Sequence, residues 1–225
     1  MAAPATFGER VRLAEERYFV AKRLLDVSLA ILLFVLLIPI MAIVAALVAF
    51  DSPGPVLFKQ KRVGQNGVHF DIYKFRSMCY NADVGVHRDA VKRFMQGERL
   101  NRARTTDAPY KLGDDKRITR IGKFIRRTSL DELPQLWNII IGDMSFVGPR
   151  PPVPYEVEMY NPQAMKRLLG KPGLTGPWQV YGRGTVSYGE MVEMDISYLS
   201  NRSIWYDLKL IILTAPAAVR GKGSA

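Results

Sequence analysis

Leu29-Ala-Ile-Leu-Leu-Phe-Val-Leu-Leu-Ile-Pro39-Ile-Met-Ala-Ile-Val-Ala-Ala-Leu-Val-Ala-Phe50 decides how the rest of this chain must be arranged. No charge interrupts the stretch, and about 20 such residues suffice to cross roughly 30 Å of hydrocarbon as a helix. Leu, Ile, Phe and Val each favour the bilayer centre by about 0.3–0.6 kcal/mol, so insertion into lipid is the expectation. A signal peptide is not indicated: a charged segment and Asp26 precede the run, and no small-residue cleavage site comes after it. Pro39, near the middle, deletes one helix hydrogen bond and kinks the segment. Basic residues flank both sides, Arg17, Lys22 and Arg23 before it and Lys59, Lys61 and Arg62 after it. Positive flanks mark the cytoplasmic side. The segment therefore reads either as a kinked span or as a re-entrant helix that bends at Pro39 and returns to its starting face.

Outside this stretch the chain has the make-up of one ordinary domain, because the 48% hydrophobic content of the 225 residues averages over unlike segments. The net charge of +11 asks for an acidic partner: anionic lipid, nucleic acid or a phosphate-bearing substrate. A single cysteine, Cys79, rules out an internal disulfide, and two histidines, His69 and His87, argue against a histidine-rich metal site. Neither G-x-x-x-x-G-K-[ST] nor a strand followed by G-x-G-x-x-G occurs, which disfavours P-loop and dinucleotide-binding architectures.

Residues 7–21 read as a short amphipathic helix on the bilayer surface or as a solvated lead-in. After the Asp51-Ser-Pro-Gly-Pro55 turn, Val56–Phe58 and Phe70–Lys74 read as strands around Gly64-Gln-Asn-Gly67. Residues 84–112 form a polar, basic insertion. Ile118–Ile125 shows a helical pattern, a second helix runs through Leu136, Trp137 and Ile140 to Gly142, and Met144–Val147 reads as a strand. Prolines on both sides stiffen Gly148-Pro-Arg-Pro-Pro152 and fix Arg150 on an extended turn, either as a phosphate clamp or as a plain strand end. Lys171–Pro177 and Gly182-Arg-Gly184 read as loops. Ile204, Trp205, Leu208, Ile211 and Ile212 have helical spacing, suiting an interfacial helix over 202–220 or a core helix. The expected class is α+β, mostly helical, with a small hairpin sheet.

The chemistry is concentrated in Ser129-Leu-Asp-Glu-Leu-Pro134, just after Arg126 and Arg127. An aspartate can attack phosphorus and form an acyl phosphate, dividing one transfer into two displacements. A second carboxylate can share magnesium with substrate phosphates. Ser129 and Glu132 also have the spacing of a helix capping box, and Pro134 fits more easily if Asp131 itself is the cap. Capping and catalysis are compatible, since a helix N-terminus favours carboxylates and attracts phosphate.

Together, Lys22-Arg-Leu-Leu-Asp26, Asp51-Ser-Pro-Gly-Pro-Val-Leu-Phe-Lys-Gln60, Tyr73-Lys-Phe-Arg-Ser-Met78, Ser129-Leu-Asp-Glu-Leu-Pro-Gln-Leu136, Gly142-Asp-Met-Ser-Phe-Val-Gly-Pro-Arg-Pro151 and Lys171-Pro-Gly-Leu-Thr-Gly176 resemble the bacterial sugar transferase family, in its small monotopic phosphoglycosyl transferase form. The resemblance covers about residues 18–220. It implies transfer of a sugar 1-phosphate from a UDP-sugar to polyprenyl phosphate, usually undecaprenyl phosphate, with release of UMP. The step opens polysaccharide or glycoconjugate assembly on the cytoplasmic face of the bacterial inner membrane. The implied mechanism is ping-pong, through a phosphosugar on Asp131, with Glu132 as its dyad partner and the two carboxylates as ligands of Mg2+. By the same matching, Lys74, Arg126, Arg150 and Arg183 contact phosphate or nucleotide, and Asp207 is a supporting carboxylate.

The resemblance also implies a re-entrant helix over 22–58 broken at Pro39, where Ile38-Pro39 replaces the family's serine-proline pair. It would lie between an interfacial segment over 1–21 and a catalytic domain over 59–225. The partners expected are the UDP-sugar, the polyprenyl phosphate and membrane lipids, without nucleic acid, and a homodimer is compatible. Two other classes stay open on the residues alone: a non-enzymatic basic protein binding nucleic acid or anionic lipid, and an aspartyl-phosphate lipid phosphatase.

Overall fold

The structure is a computed structural model and describes residues 7–80, 85–98, 115, 117–182 and 185–219. Its first element, α1, is a 45-residue helix over Phe7–Asp51. The expected boundary near residue 21 does not interrupt it, because no glycine or proline lies between Gly8 and Pro39 to stop helix propagation. Helical structure also continues through Pro39.

Two patches of α1 are buried against the rest of the chain. Ala30, flanked by Leu33, Phe34 and Leu37, packs on Leu136, Ile139, Phe146 and Leu210. Val44 and Val48, flanked by Met41 and Ala45, pack on Phe75 and Ile125. The other face of the helix leaves Leu32, Val35, Leu36, Ile43 and Phe50 exposed, Phe50 at 91%. So large a contiguous apolar surface is tolerated only against lipid or another apolar partner.

Polar contacts pin α1 on both sides of its apolar run. Ahead of the run, Arg23 donates to the carbonyl oxygens of Ile139 and Ile140, at 2.6 and 2.8 Å, and Asp26 accepts from the Phe146 N–H at 3.1 Å. The two carbonyls belong to the last turn of α4 (Gln135–Ile141), where intrahelical partners run out. At the far end, Arg76 donates to the carbonyls of Val48, Ser52 and Pro55, and Asp51 accepts from the Ile121 N–H at 3.2 Å.

The globular part starts with an antiparallel hairpin, β1 (Leu57–Val63) and β2 (His69–Phe75), with Lys59 opposite Tyr73 and Lys61 opposite Asp71. Both strands are longer than the apolar runs alone suggested: β2 buries Phe70, Ile72 and Phe75 between more exposed positions, and β1 pairs with it along its whole length. Next come α2 (Gly85–Met95) and α3 (Arg120–Arg127), followed by α4, which ends at Gly142 with φ +98°. Asn138 on α4 is fully buried and joins helix to hairpin, accepting from the Tyr73 N–H at 3.1 Å and donating to the Asp71 carbonyl at 2.7 Å.

A second sheet was not expected. β3 (Ser145–Val147) pairs in parallel with β4 (Gly173–Thr175), in a stretch that composition marked as a loop. The pairing needs glycine at the crossing: a Cβ on Gly173 would lie 2.1 Å from the Gly148 nitrogen. The remaining elements are α5 (Pro154–Val157), α6 (Pro162–Met165), α7 (Pro177–Tyr181), α8 (Tyr188–Asn201) and α9 (Ile204–Val219). From the insertion, α2 packs Val91 and Phe94 on Trp178 and Met191, while residues 99–112 lie outside the described part. The last helix plays both expected parts: Leu210 is fully buried, and Trp205 is 82% exposed.

Candidate active site

The dyad is positioned by α3 and by the tight turn after it. Thr119 caps the helix, its hydroxyl accepting from the Gly122 N–H at 2.9 Å, and Asp51 satisfies the neighbouring Ile121 N–H. After Thr128 the chain turns sharply at Ser129, which takes left-handed angles (φ 57°, ψ 16°), and forms a 3-10 turn over Leu130–Glu132. A non-glycine residue in this region costs free energy and is kept only where the surroundings enforce it. Here Leu130 and Leu133 pack with Val44, Val48, Phe75 and Ile125, holding the turn on α1 with Asp131 and Glu132 between the two leucines.

The capping expectation fails at this point. Ser129 makes no side-chain cap, and Asp131 lies inside the 3-10 turn rather than ahead of a helix. The next helix begins at Gln135 with Pro134 as its uncapped N-cap residue. Leu133 and Pro134 keep helical angles, so it is Ser129 that prevents the box, its left-handed backbone replacing the extended conformation a cap residue adopts.

Asp131 is 8% exposed, and Glu132 is half-buried. Lys74, on the face of β2 opposite the buried Phe75, reaches Glu132 Oε1 at 2.5 Å. Around this pair lies a group of cations. Arg150 sits on the proline-rich turn, which β1 holds through the Val63 N–H to Pro152 carbonyl bond at 2.9 Å and Arg62 Nη1 to Pro151 carbonyl at 2.8 Å. Arg126, in the last turn of α3, has a buried Nε without a hydrogen-bond partner. Arg117 forms a two-point pair with Asp115, at 2.8 and 2.6 Å.

The guanidinium groups of Arg62, Arg117, Arg126 and Arg150 all act on His87. Its imidazole is pushed down to about 3, by burial first and then by Arg150, Arg62, Arg117 and Arg126. The ring meets the Tyr155 hydroxyl at 2.5 Å, tying α2 to α5. Arg150 is itself lowered to about 10, by burial and then by Arg62. Arg62 is lowered by burial, opposed by the carboxylates of Glu156 and Glu132. So dense a positive field around two carboxylates favours a polyanion and stabilises charge on phosphate oxygens.

Of the residues singled out from sequence, the structure brings Lys74 into contact with the turn that carries Asp131 and Glu132, and Arg126 and Arg150 are among the guanidinium groups that act on His87. Asp207 lies elsewhere, fully buried, where Tyr198 donates to its Oδ1 at 2.6 Å and Lys22 and Tyr18 donate to its Oδ2 at 2.9 and 3.0 Å. Its contacts tie α9 to α1 and α8. Arg183 lies outside the described residues. Sequence reasoning missed Arg62, His87 and Arg117. For Arg62 a signal existed: Lys59 and Lys61 alternate on the exposed face of β1, which turns Arg62 inward.

Among the described residues, no three His, Cys, Asp or Glu side chains stand close enough to hold a metal ion. The dyad suits magnesium only as part of a set completed by phosphate and water oxygens, which is the coordination magnesium prefers.

The structure combines paired carboxylates and several arginines with a helix long and apolar enough to cross a membrane. The chain belongs to the bacterial sugar transferase family, whose sequence profile matches residues 17–221. It is 43% identical over 208 residues to the galactosyl transferase CpsE of Streptococcus agalactiae, covering 92% of this chain and 44% of that protein. It is 40% identical over 203 residues to the undecaprenyl-phosphate galactose phosphotransferase of Salmonella typhimurium, covering 90% and 41%. It is 42% identical over 207 residues to the exopolysaccharide production protein ExoY of Sinorhizobium fredii, covering 91% and 88%. The chain thus spans less than half the length of the first two relatives and most of the third.

Proposed function

We propose that this protein transfers a sugar 1-phosphate from a UDP-sugar to undecaprenyl phosphate at a membrane surface, releasing UMP. The observation that carries the reading is the buried Asp131 beside the Glu132–Lys74 pair, with Arg62 feeling the charge of Glu132 and with Arg62, Arg117, Arg126 and Arg150 acting together on His87. The Salmonella and Streptococcus relatives, named as a galactose phosphotransferase and a galactosyl transferase, support the substrate class.

In the first step an Asp131 carboxylate oxygen attacks the β-phosphorus of the donor, the bond from that phosphorus to the UMP oxygen breaks, and UMP leaves as the dianion. In the second, an oxygen of the lipid phosphate attacks the same phosphorus and the Asp131 carboxylate departs. The arginines hold the diphosphate in line and offset the charge that builds on its oxygens. Lys74 keeps Glu132 oriented toward the same space. Magnesium bound with the donor's diphosphate would neutralise charge on the leaving group, with Asp131 and Glu132 as its protein ligands.

Support for a re-entrant α1 comes from its anchorage. Arg23 and Asp26 ahead of the apolar run and Asp51 after it hold the same globular domain, and Val44 and Val48 pack on it as Ala30 does. A straight span would place one end of that domain across the bilayer from the other. The domain then lies on the cytoplasmic face, where both basic flanks belong.

Asp131→Asn keeps the shape of the side chain but removes the nucleophile. Expected is a fall in UMP release of at least about 10³-fold, with loss of a radiolabelled phosphosugar adduct on the denatured protein. Undiminished UMP release by Asp131→Asn would sink the covalent mechanism. Phosphate release from the lipid without any donor sugar would point to a phosphatase instead.

A further inference from the structure

Away from the dyad, a small cavity of ≈ 70 Å³ opens between α1, the loop at Gly170-Lys171, the end of α8 and Arg202. Four cations line it, Lys22, Arg23, Lys171 and Arg202, against one carboxylate, Asp26. That carboxylate is engaged: Asp26 accepts from the Phe146 N–H and lies 4.0 Å from Lys22. The nearby Asp207 is engaged as well, by Lys22, Tyr18 and Tyr198. Neither Lys171 nor Arg202 has a carboxylate partner among the described residues. Arg202 holds its guanidinium 4.6 Å from the Phe19 ring centre and 5.7 Å from that of Tyr18. Burial, and then Arg23, lower the pKa of Lys171, with Asp26 and Asp143 opposing them from beyond salt-bridge distance.

The surroundings say which anion would fit. The cavity lies where α1 passes from its charged turn, Lys22 to Asp26, into the apolar run that begins at Leu29. Phe19, which lines it, and Trp205, three residues after Arg202 in the chain, are exposed, and exposed aromatics with flanking basic residues are the composition of a headgroup-level surface. The volume holds about two waters, the size of one phosphate group and too small for a sugar or nucleotide. With Asp26 and Asp207 occupied, nothing in the cavity meets the ammonium of a zwitterionic headgroup.

We propose that this cavity binds the phosphodiester of an anionic phospholipid, held between Lys171 and Arg202 where α1 enters the membrane. The lipid would fasten α1, just ahead of its apolar run, to the loop before β4 and to α8, at a site separate from the dyad.

The test uses the full chain in lipid-free, non-ionic detergent, titrated in parallel with dioctanoyl phosphatidylglycerol, dioctanoyl phosphatidylcholine and inorganic phosphate, with thermal unfolding followed by tryptophan fluorescence. Phosphatidylglycerol is expected to raise Tm saturably, by roughly 5–10 °C at a hundredfold excess over its Kd, while the other two leave Tm in place. Lys171→Gln, a change at a side chain without a polar partner among the described residues, is expected to keep the lipid-free Tm and lose most of the shift. Arg202→Gln should lose it too, and Lys209→Gln, an exposed charge on the same side of the chain, should retain it. Equal stabilisation by phosphatidylcholine or by inorganic phosphate would overturn the proposal, as would a full shift in Lys171→Gln or an equal loss in Lys209→Gln.

Discussion

Lys74 and Glu132 come from elements 58 residues apart and meet at 2.5 Å, while the adjacent Asp131 is turned into protein. Removing the ammonium should therefore disturb the dyad without removing the nucleophile. Lys74→Met is expected to lower kcat/KM for the UDP-sugar roughly 10²-fold while the phosphosugar adduct still forms on long incubation. His87 gives a prediction about pH. Its pKa is lowered to about 3 in the fold from the ordinary 6.5, so the unfolded chain binds the extra proton between those values. Stability from this residue is complete above about pH 6.5 and declines as pH falls toward 3. Tm measured from pH 7.5 down to 5 should fall more steeply for the wild type than for His87→Gln. A parallel decline in both proteins would mean that other groups govern the acid limb. At this scale the sequence exposed only part of the site. Asp131, Glu132, Arg126 and Arg150 belong to local motifs, whereas Arg62, Arg117 and His87 come from separate elements and carry no common spacing.

Two stretches of the chain have the same Ser-x-x-Glu spacing and end in opposite local structures. At Ser187 the serine hydroxyl accepts from the Glu190 N–H, the Glu190 carboxylate accepts from the Ser187 N–H, and α8 then runs for 14 residues. At Ser129 the residue is left-handed, whereas Ser187 is extended as a cap residue must be, and no box forms. Spacing alone is ambiguous, and the backbone conformation of the serine decides it. Elements with a strong local signal were legible: the apolar length of α1, the hairpin around Gly64–Gly67, and the glycine stop of α4. The parallel pairing of β3 with β4, and helices of four or five residues such as α5 to α7, are too short to show a period and form because tertiary neighbours complete them. The helix that delivers the dyad depends on its cap. Thr119→Ala should cost about 1 kcal/mol and lower Tm by roughly 2–4 °C, read by thermal unfolding in the same detergent.

For the molecule as a whole, the anchoring of α1 on both sides of its apolar run predicts one-sided topology. In a Cys79→Ser background, which removes the exposed native thiol, single cysteines at Arg17 and Lys59 should react with an impermeant maleimide from the same side of sealed vesicles. Labelling from opposite sides would establish a straight span. The seat of the dyad on α1 has a further consequence under the proposed function. Leu130 and Leu133 rest on Val44 and Val48 of the helix that sits in lipid, so the height of Asp131 relative to the bilayer is fixed by packing, not by a hinge. An acceptor phosphate floats at a height set by the headgroup plane, whatever the length of its tail. Short and long polyprenyl phosphates would then meet the nucleophile at the same level, and tail length would govern how long the acceptor stays in the membrane more than how fast it reacts.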